Sequence, residues 1–213
     1  MMTETQIRNA SEQTRMRLLE AAREVFSQYG FQGATVREIC RRAEANGAAV
    51  NYHFGSKDGL LAEALNFSRL KAIQKANDAA GECPRLRLRL FIRDFMMMLL
   101  DEKNPSSQCQ IMARELADPS PALDKIVREA IEPLHEFLGK LVREIVGEDM
   151  ADPTLLRCVH SIFGQCLFYR HSQPVLQRLH PQLRYDQTEI DSIAAHIAEF
   201  SIAGIVALES NPH

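Results

Sequence analysis

Thr35-Val36-Arg37-Glu38-Ile39-Cys40-Arg41-Arg42-Ala43-Glu44-Ala45-Asn46-Gly47-Ala48-Ala49-Val50-Asn51-Tyr52-His53-Phe54-Gly55-Ser56-Lys57-Asp58 is the stretch on which the fold turns. Thr35 stands three residues before Glu38, the spacing of a capping box: the hydroxyl accepts the Glu38 amide and the carboxylate reaches back. A short helix then runs to about Glu44 with Val36, Ile39, Cys40 and Ala43 turned inward. Asn46 can cap a second, very short helix over Gly47 to His53, with Ala45 as its staple. Ser56 can cap a third helix beginning at Lys57. A scaffold helix, a tight turn and a short helix presenting its N-terminal residues make a helix-turn-helix.

Upstream, Leu18, Ala22, Val25, Phe26 and Tyr29 form one stripe of a helix over Glu12–Tyr29, and Gly30 is placed to close it in a left-handed conformation. Phe26, Phe31, Val36, Ile39, Val50, Phe54 and Leu61 supply a compact core beneath the motif. Downstream, the spacing predicts a long helix from Lys57 to Ala80, then helices over Arg85–Glu102, Ser106–Leu116, Pro121–Val146, Thr154–Arg170 and Thr188–Leu208. Pro133 should kink or divide the Pro121–Val146 helix, because it removes a backbone donor and clashes with the preceding turn. The fold class is all-α: a domain over 1–56 built on the motif, joined to a larger helical domain over 57–213.

The chain is 46% apolar and 25% charged, enough to bury a core and too apolar for disorder. Its net charge is −3, but residues 1–80 hold 11 Lys/Arg against 9 Asp/Glu, while 81–213 hold 14 against 19. That asymmetry puts any face for a polyanion at the N-terminal end. The five cysteines (Cys40, Cys83, Cys109, Cys158, Cys166) are scattered, as expected of reduced thiols rather than a disulfide frame. The polar start, Met1 to Ala10, is unlike a signal peptide, and the apolar run Phe95–Leu100 is too short to span a bilayer. The expectation is a cytoplasmic protein with no membrane contact.

The N-terminal residues resemble the DNA-binding domain of TetR-family transcriptional regulators. The matching positions are Thr14-Arg15, Leu18-Leu19, Ala21-Ala22, Phe26, Tyr29-Gly30-Phe31, Ala34-Thr35-Val36, Ile39, Ala43, Val50, Tyr52, Phe54, Lys57 and Leu60. The run Phe163-Gly164-Gln165-Cys166-Leu167-Phe168-Tyr169-Arg170-His171 resembles the CecR-type branch. Two departures stand out. Glu44 occupies a turn position where the family has glycine, so it would have to take a positive φ. Gly47-Ala48-Ala49 puts small residues where the second helix of the motif begins.

The resemblance implies a dimeric repressor that binds a palindromic double-stranded DNA operator and is released by a small, partly apolar effector. It assigns phosphate contacts to Tyr52, His53 and Lys57 and backbone contacts to Thr35 and Arg37. Ala48 and Ala49 could meet thymine methyls, with Asn46 and Asn51 reaching bases or phosphates. The rival reading makes Tyr52 a core aromatic and Lys57 a solvated surface residue.

An effector pocket is implied among Phe91, Phe95, Met98, Met112, Arg114, Phe137, Phe163 and Phe168, with Arg93, Gln110, Gln165 and His135 as further polar candidates. Ordinary core packing is the alternative. A homodimer interface is implied along Leu155, Ile162, Phe163, Cys166, Ile193, Ile197, Phe200 and Gly204 of the last two long helices. Cys158, His160, Cys166 and His171 match no zinc spacing, so no metal and no cofactor are expected. Neither a nucleophile elbow nor a phosphate loop nor a paired-carboxylate arrangement is present, which argues against an enzyme.

Overall fold

In a computed structural model of the chain, residues 4–65, 68–78, 81, 83–100, 107–147 and 150–210 are described. Among these residues every regular element is helical. The helices are α1 (Glu4–Gly33), α2 (Val36–Arg42), α3 (Ala48–Phe54), α4 (Lys57–Leu65), α5 (Ser68–Asp78), α6 (Pro84–Leu100), α7 (Ser107–Ala117), α8 (Leu123–Ile126), α9 (Glu132–Val146), α10 (Asp152–His171), α11 (Gln173–Leu179) and α12 (Gln187–Ser210). The long helix expected over Lys57–Ala80 is described as α4 and α5. Its end at Ala80, with those expected at Glu102 and Ser106, lies outside the described residues.

The chain divides into two compact units. The first holds Met1–Asn66 and Ser107–Arg128; the second holds Phe67–Ser106 and Glu129–His213. The first unit is therefore wider than the 1–56 segment. α4 and α7 both pack on α1, and Leu60, Leu61, Ala64 and Ile111 are buried there with Leu18, Val25, Phe26, Ile39 and Val50. Each of the Leu, Ile, Val and Phe side chains among them contributes about 1.5–3 kcal/mol when withdrawn from water. Phe31 and Val36, expected in this core, are half-buried, and Phe31 stacks on Phe26 with centroids 6.2 Å apart.

α1 kinks at Gly30, whose φ is positive at 68° as expected but whose ψ of −178° is extended, and the helix resumes to Gly33 rather than closing there. α2 starts on Thr35, whose hydroxyl accepts the Glu38 amide at 3.1 Å. The Glu38 carboxylate, however, turns to two arginines. Arg41 meets it through Nε and Nη2, both at 2.8 Å, and Arg42 through Nε at 2.8 Å. Arg42 also reaches α1, with Nη2 donating to Gln28 at 3.2 Å and Nη1 lying 3.5 Å from Glu24. These charge-assisted bonds hold Glu38 well below its ordinary value of 4.5, at about 2.

α2 ends in a Schellman turn. The Ala45 amide donates to the Cys40 carbonyl at 2.9 Å and the Glu44 amide to the Arg41 carbonyl at 3.3 Å. That geometry forces Glu44 to φ 50°, and among the described residues it is the one non-glycine with positive φ. Gly59 is fixed by a different constraint: a Cβ there would lie 2.2 Å from the Phe54 carbonyl oxygen, so α4 can cross the end of α3 only with glycine at this point.

The second unit is built around α6, which lies against α12, α9 and α10, with α5 on α6 and α9. Its core joins Leu88, Phe91, Ile92 and Met96 to Leu138, Leu141, Val159, Ile162, Ile193 and Ile197. The predicted break at Pro133 is present. Leu123–Ile126 passes into a π-helical turn, Val127–Ile131, and α9 restarts with Pro133 in its first turn, where the missing N–H costs nothing. α11, which carries Pro174 in its first turn and ends before Pro181, has no counterpart in the sequence expectation; none of its residues is buried. Gln187–Leu208 is long and apolar enough to cross a membrane by length and composition, a feature the six-residue Phe95–Leu100 run did not signal, and less than half of it is buried within the protomer.

Replacing Glu44 by Gly is expected to stabilise the fold by roughly 0.5–1 kcal/mol, the relief of left-handed strain less the entropy glycine adds to the unfolded chain. Urea unfolding midpoints check this; an unchanged or lower midpoint would contradict the strain at this turn. Because Glu38 is depressed in the fold, its stabilisation is complete above about pH 4.5 and is lost as pH falls through about 2. Glu38→Gln should flatten the acid limb of stability across that window, as read by thermal unfolding at graded pH.

Candidate nucleic-acid interface

The first unit presents α3 with one face in its core and the other in solvent. Val50 and Phe54 are buried, while Ala48, Asn51 and Tyr52 are exposed and Ala49 is half-buried. Tyr52 is 80% exposed, which excludes the core-aromatic reading. Its ring stands edge-on to His53, with centroids 4.8 Å apart and planes at 81°, so the half-buried imidazole steadies the phenol. A large aromatic held in solvent by a neighbouring ring is costly to leave unused, and its hydroxyl suits a phosphate oxygen.

Asn46 caps this helix, its Oδ1 accepting the Ala48 amide at 3.0 Å. The carboxamide oxygen is thus committed to the turn, and the NH2 remains for a ligand. Thr35 and Arg37, at the start of α2, are both exposed. The Thr35 hydroxyl accepts from Glu38 and keeps its own proton to donate. At the start of α4, Ser56 Oγ accepts the Gly59 amide at 3.0 Å.

Lys57 is not the free surface lysine of the rival reading. Its ammonium donates to the Phe31 carbonyl at 2.5 Å and lies 4.1 Å from the centroid of the Phe31 ring. The group is half-buried, and burial pushes its pKa down. It pins the start of α4 to the segment beyond the α1 kink rather than standing free in solvent.

Of the residues expected to form an effector pocket, four converge in the second unit. Phe91 lies 5.7 Å from Phe95, 5.5 Å from Phe137 and 6.4 Å from Phe163 between centroids. His135 stacks on Phe163 at 5.0 Å beside His160, and burial lowers its pKa. Met98 is half-buried against this core. The others lie elsewhere. Met112 and Arg114 belong to the first unit, where Arg114 Nη2 donates to the Gln28 carbonyl at 3.2 Å. Phe168 is 54% exposed. Arg93 pairs with Asp191, and Gln165 bonds Ser201 at 3.1 Å.

The expected dimer residues sort by side of the helix. Ile162, Phe163, Cys166, Ile193 and Ile197 are buried in the core of their own protomer, and Leu155 is half-buried. Phe200 and Gly204 are exposed. Phe200 and Gly204 belong to an outward stripe that also holds Leu156, Gly164 and Phe168 of α10 and Ala203 and Leu208 of α12; of these added residues none was expected at the interface. Burial raises the Cys40 thiol, and pushes Cys166 up to about 12, which keeps both protonated and unreactive. Among the described residues no group of three potential metal ligands gathers.

Comparison with known proteins matches this arrangement at both ends. Residues 18–64 match the model of bacterial regulatory proteins of the tetR family. Residues 84–205, more than half of the chain, match the C-terminal domain of the HTH-type transcriptional dual regulator CecR. CecR of Shigella flexneri is 29% identical over 171 residues, covering 75% of this chain and 76% of that protein. The HTH-type transcriptional repressor NicS of Pseudomonas putida is 32% identical over 90 residues, 40% of this chain and 42% of its own. Two solved structures share the fold. FadR of Bacillus subtilis, in complex with stearoyl-CoA, has a TM-score of 0.67 at 15% identity, over 89% of this chain and 98% of that one. AibR, in complex with isovaleryl coenzyme A and operator DNA, has a TM-score of 0.63 at 19% identity, over 88% and 97%. The chain is a DNA-binding transcriptional regulator of the TetR family, in the branch that carries the CecR C-terminal domain.

Proposed function

We propose that this regulator is a ligand-responsive homodimeric repressor that binds a palindromic operator and is released by a small, partly apolar effector. The observation that carries the reading is the solvated face of α3, where Asn51 and the 80%-exposed Tyr52 stand outward over a packed core. The reading head is built on residues 1–56 and walled by α4 and α7 of the first unit, and the rest of 57–213 serves effector binding and dimerisation, working in the cytoplasm beside the chromosome. Tyr52, His53, Thr35 and Arg37 take phosphates. Lys57 leaves the Phe31 carbonyl to add its charge there. Ala48, Ala49, Asn46 and Asn51 face the base edges, where small side chains let the backbone come close.

A second copy covers the outward stripe of α10 and α12. Exposed Leu156, Phe168, Phe200 and Leu208 are an apolar surface that water penalises, and Gly164 and Gly204 allow close helix approach. Two such heads related by a twofold axis match a palindrome. Effector binding beside Phe91, Phe95, Phe137 and Phe163 shifts the balance between DNA-competent and released states. A coupling of only about 1–3 kcal/mol changes operator affinity about 5- to 150-fold. The two fold-sharing regulators bound to acyl-CoA favour an effector with an apolar tail and a polar head.

Selection of bound DNA from a random pool, repeated with acyl-CoAs and hydrophobic drugs, tests the whole reading. An enriched palindrome that one compound abolishes is expected; no enrichment at all would sink it. Tyr52→Phe should weaken every DNA equally with the slope of log affinity against log salt nearly unchanged, because the lost hydroxyl is neutral, whereas Lys57→Ala should weaken every DNA equally and lower that slope by about 0.9. Full affinity of both variants at two salt concentrations would refute the phosphate assignment. Phe200→Glu should halve the mass measured by light scattering while leaving helical content unchanged, since the side chain is 65% exposed in the protomer. An intact dimer in that variant would place the interface elsewhere.

A further inference from the structure

α2 carries three arginines, and the fold sorts them by partner. Its buried stripe is Ile39, Cys40 and Ala43. To one side Arg42 turns toward α1, meeting Glu24, Gln28 and the ring of Tyr29. To the other side lie Arg37 and Arg41, one helical turn apart and so on a shared face. Arg37 is a residue expected to meet the DNA backbone. Arg41 was not singled out in the sequence, yet its side chain is 69% exposed on that same face.

Glu38 sits between the two groups and treats its arginines differently. It grips Arg41 side-on through Nε and Nη2, at 2.8 Å each, and takes a single bond from Arg42 Nε. Arg42 has further acceptors on α1. A side-on fork spends one Nε and one Nη2 proton of Arg41, leaving both Nη1 protons and the second Nη2 proton pointing away from the carboxylate. A long exposed arginine ordinarily loses rotamer freedom on meeting a phosphate; here the fork has already fixed its plane.

We propose that Arg41 is a further phosphate contact of the reading head and that Glu38 is its positioning residue, holding the guanidinium so that its outer N–H edge meets the DNA backbone beside Arg37. The inference rests on the DNA-binding reading given above. It runs against simple electrostatics. A carboxylate on a DNA-facing helix repels the polyanion, so on charge alone its removal should tighten binding. On the positioning argument its removal should weaken binding, because the arginine it steers is set loose.

The test is salt-dependent binding of the full chain to a mixed-sequence DNA duplex, which needs no known operator. Arg41→Ala should weaken binding several-fold at moderate salt and lower the salt slope by about 0.9. Arg41→Lys should keep the slope, since it keeps the charge, but lose affinity because it cannot form the fork. Glu38→Gln should weaken binding about twofold or more even though a negative charge has gone, and adding it to Arg41→Ala should cost nothing further. Thermal unfolding at neutral pH separates any loss of fold. Glu38→Gln binding as tightly as the unmodified chain or tighter, or Arg41→Ala retaining the full slope, would overturn the proposal. Absence of binding by the unmodified chain at low salt overturns the reading head itself, and the inference with it.

Discussion

The bond from the Ala45 amide to the Cys40 carbonyl turns the chain between α2 and α3, and most of the reading head depends on it. Two short helices, each of seven residues, are too brief to be stable alone. They persist because this turn lets Ile39 and Val50 fall into one core with Phe26 and Leu61. The conformation it demands is one that glycine meets freely and glutamate does not. The family uses glycine here, and this chain holds Glu44 at φ 50° without altering the turn. Packing of the two flanking helices outweighs about 1 kcal/mol of local strain.

The same logic separates what the sequence disclosed from what it hid. Caps and breaks act over three or four residues, so Thr35, Ser56, Gly30 and Pro133 could be read directly. Where two choices are close in energy, local pattern was silent. α10 carries apolar residues on both sides: Ile162 and Cys166 on one, Leu156 and Phe168 on the other. Periodicity finds both stripes but not which one the protomer keeps for itself. That choice belongs to α6, which supplies Phe91 and Phe95 to the inner stripe. Arg114 was grouped with the effector aromatics for want of any sign that α7 packs on α1.

Side-chain direction was harder still. Lys57 could be read as a charge at a helix start, yet nothing in its neighbours announced the Phe31 carbonyl 26 residues earlier. Nor did the capping-box spacing reveal that Glu38 would forgo its return bond for two arginines. A carboxylate offered a backbone amide or two guanidinium groups takes the stronger pair. Short-range rules state which bonds are available, and the full set of competitors decides which are made.

The chain leaves the first unit after residue 66, comes back at Ser107 and departs again after Arg128. The head is thus assembled from two separated stretches of sequence, with Ile111 of the second buried among the helices of the first. A gene fragment cut after α4 encodes a head missing part of its wall. Recombination that grafts one regulator's head onto another's body must therefore either carry α7 along or repack its seat on α1.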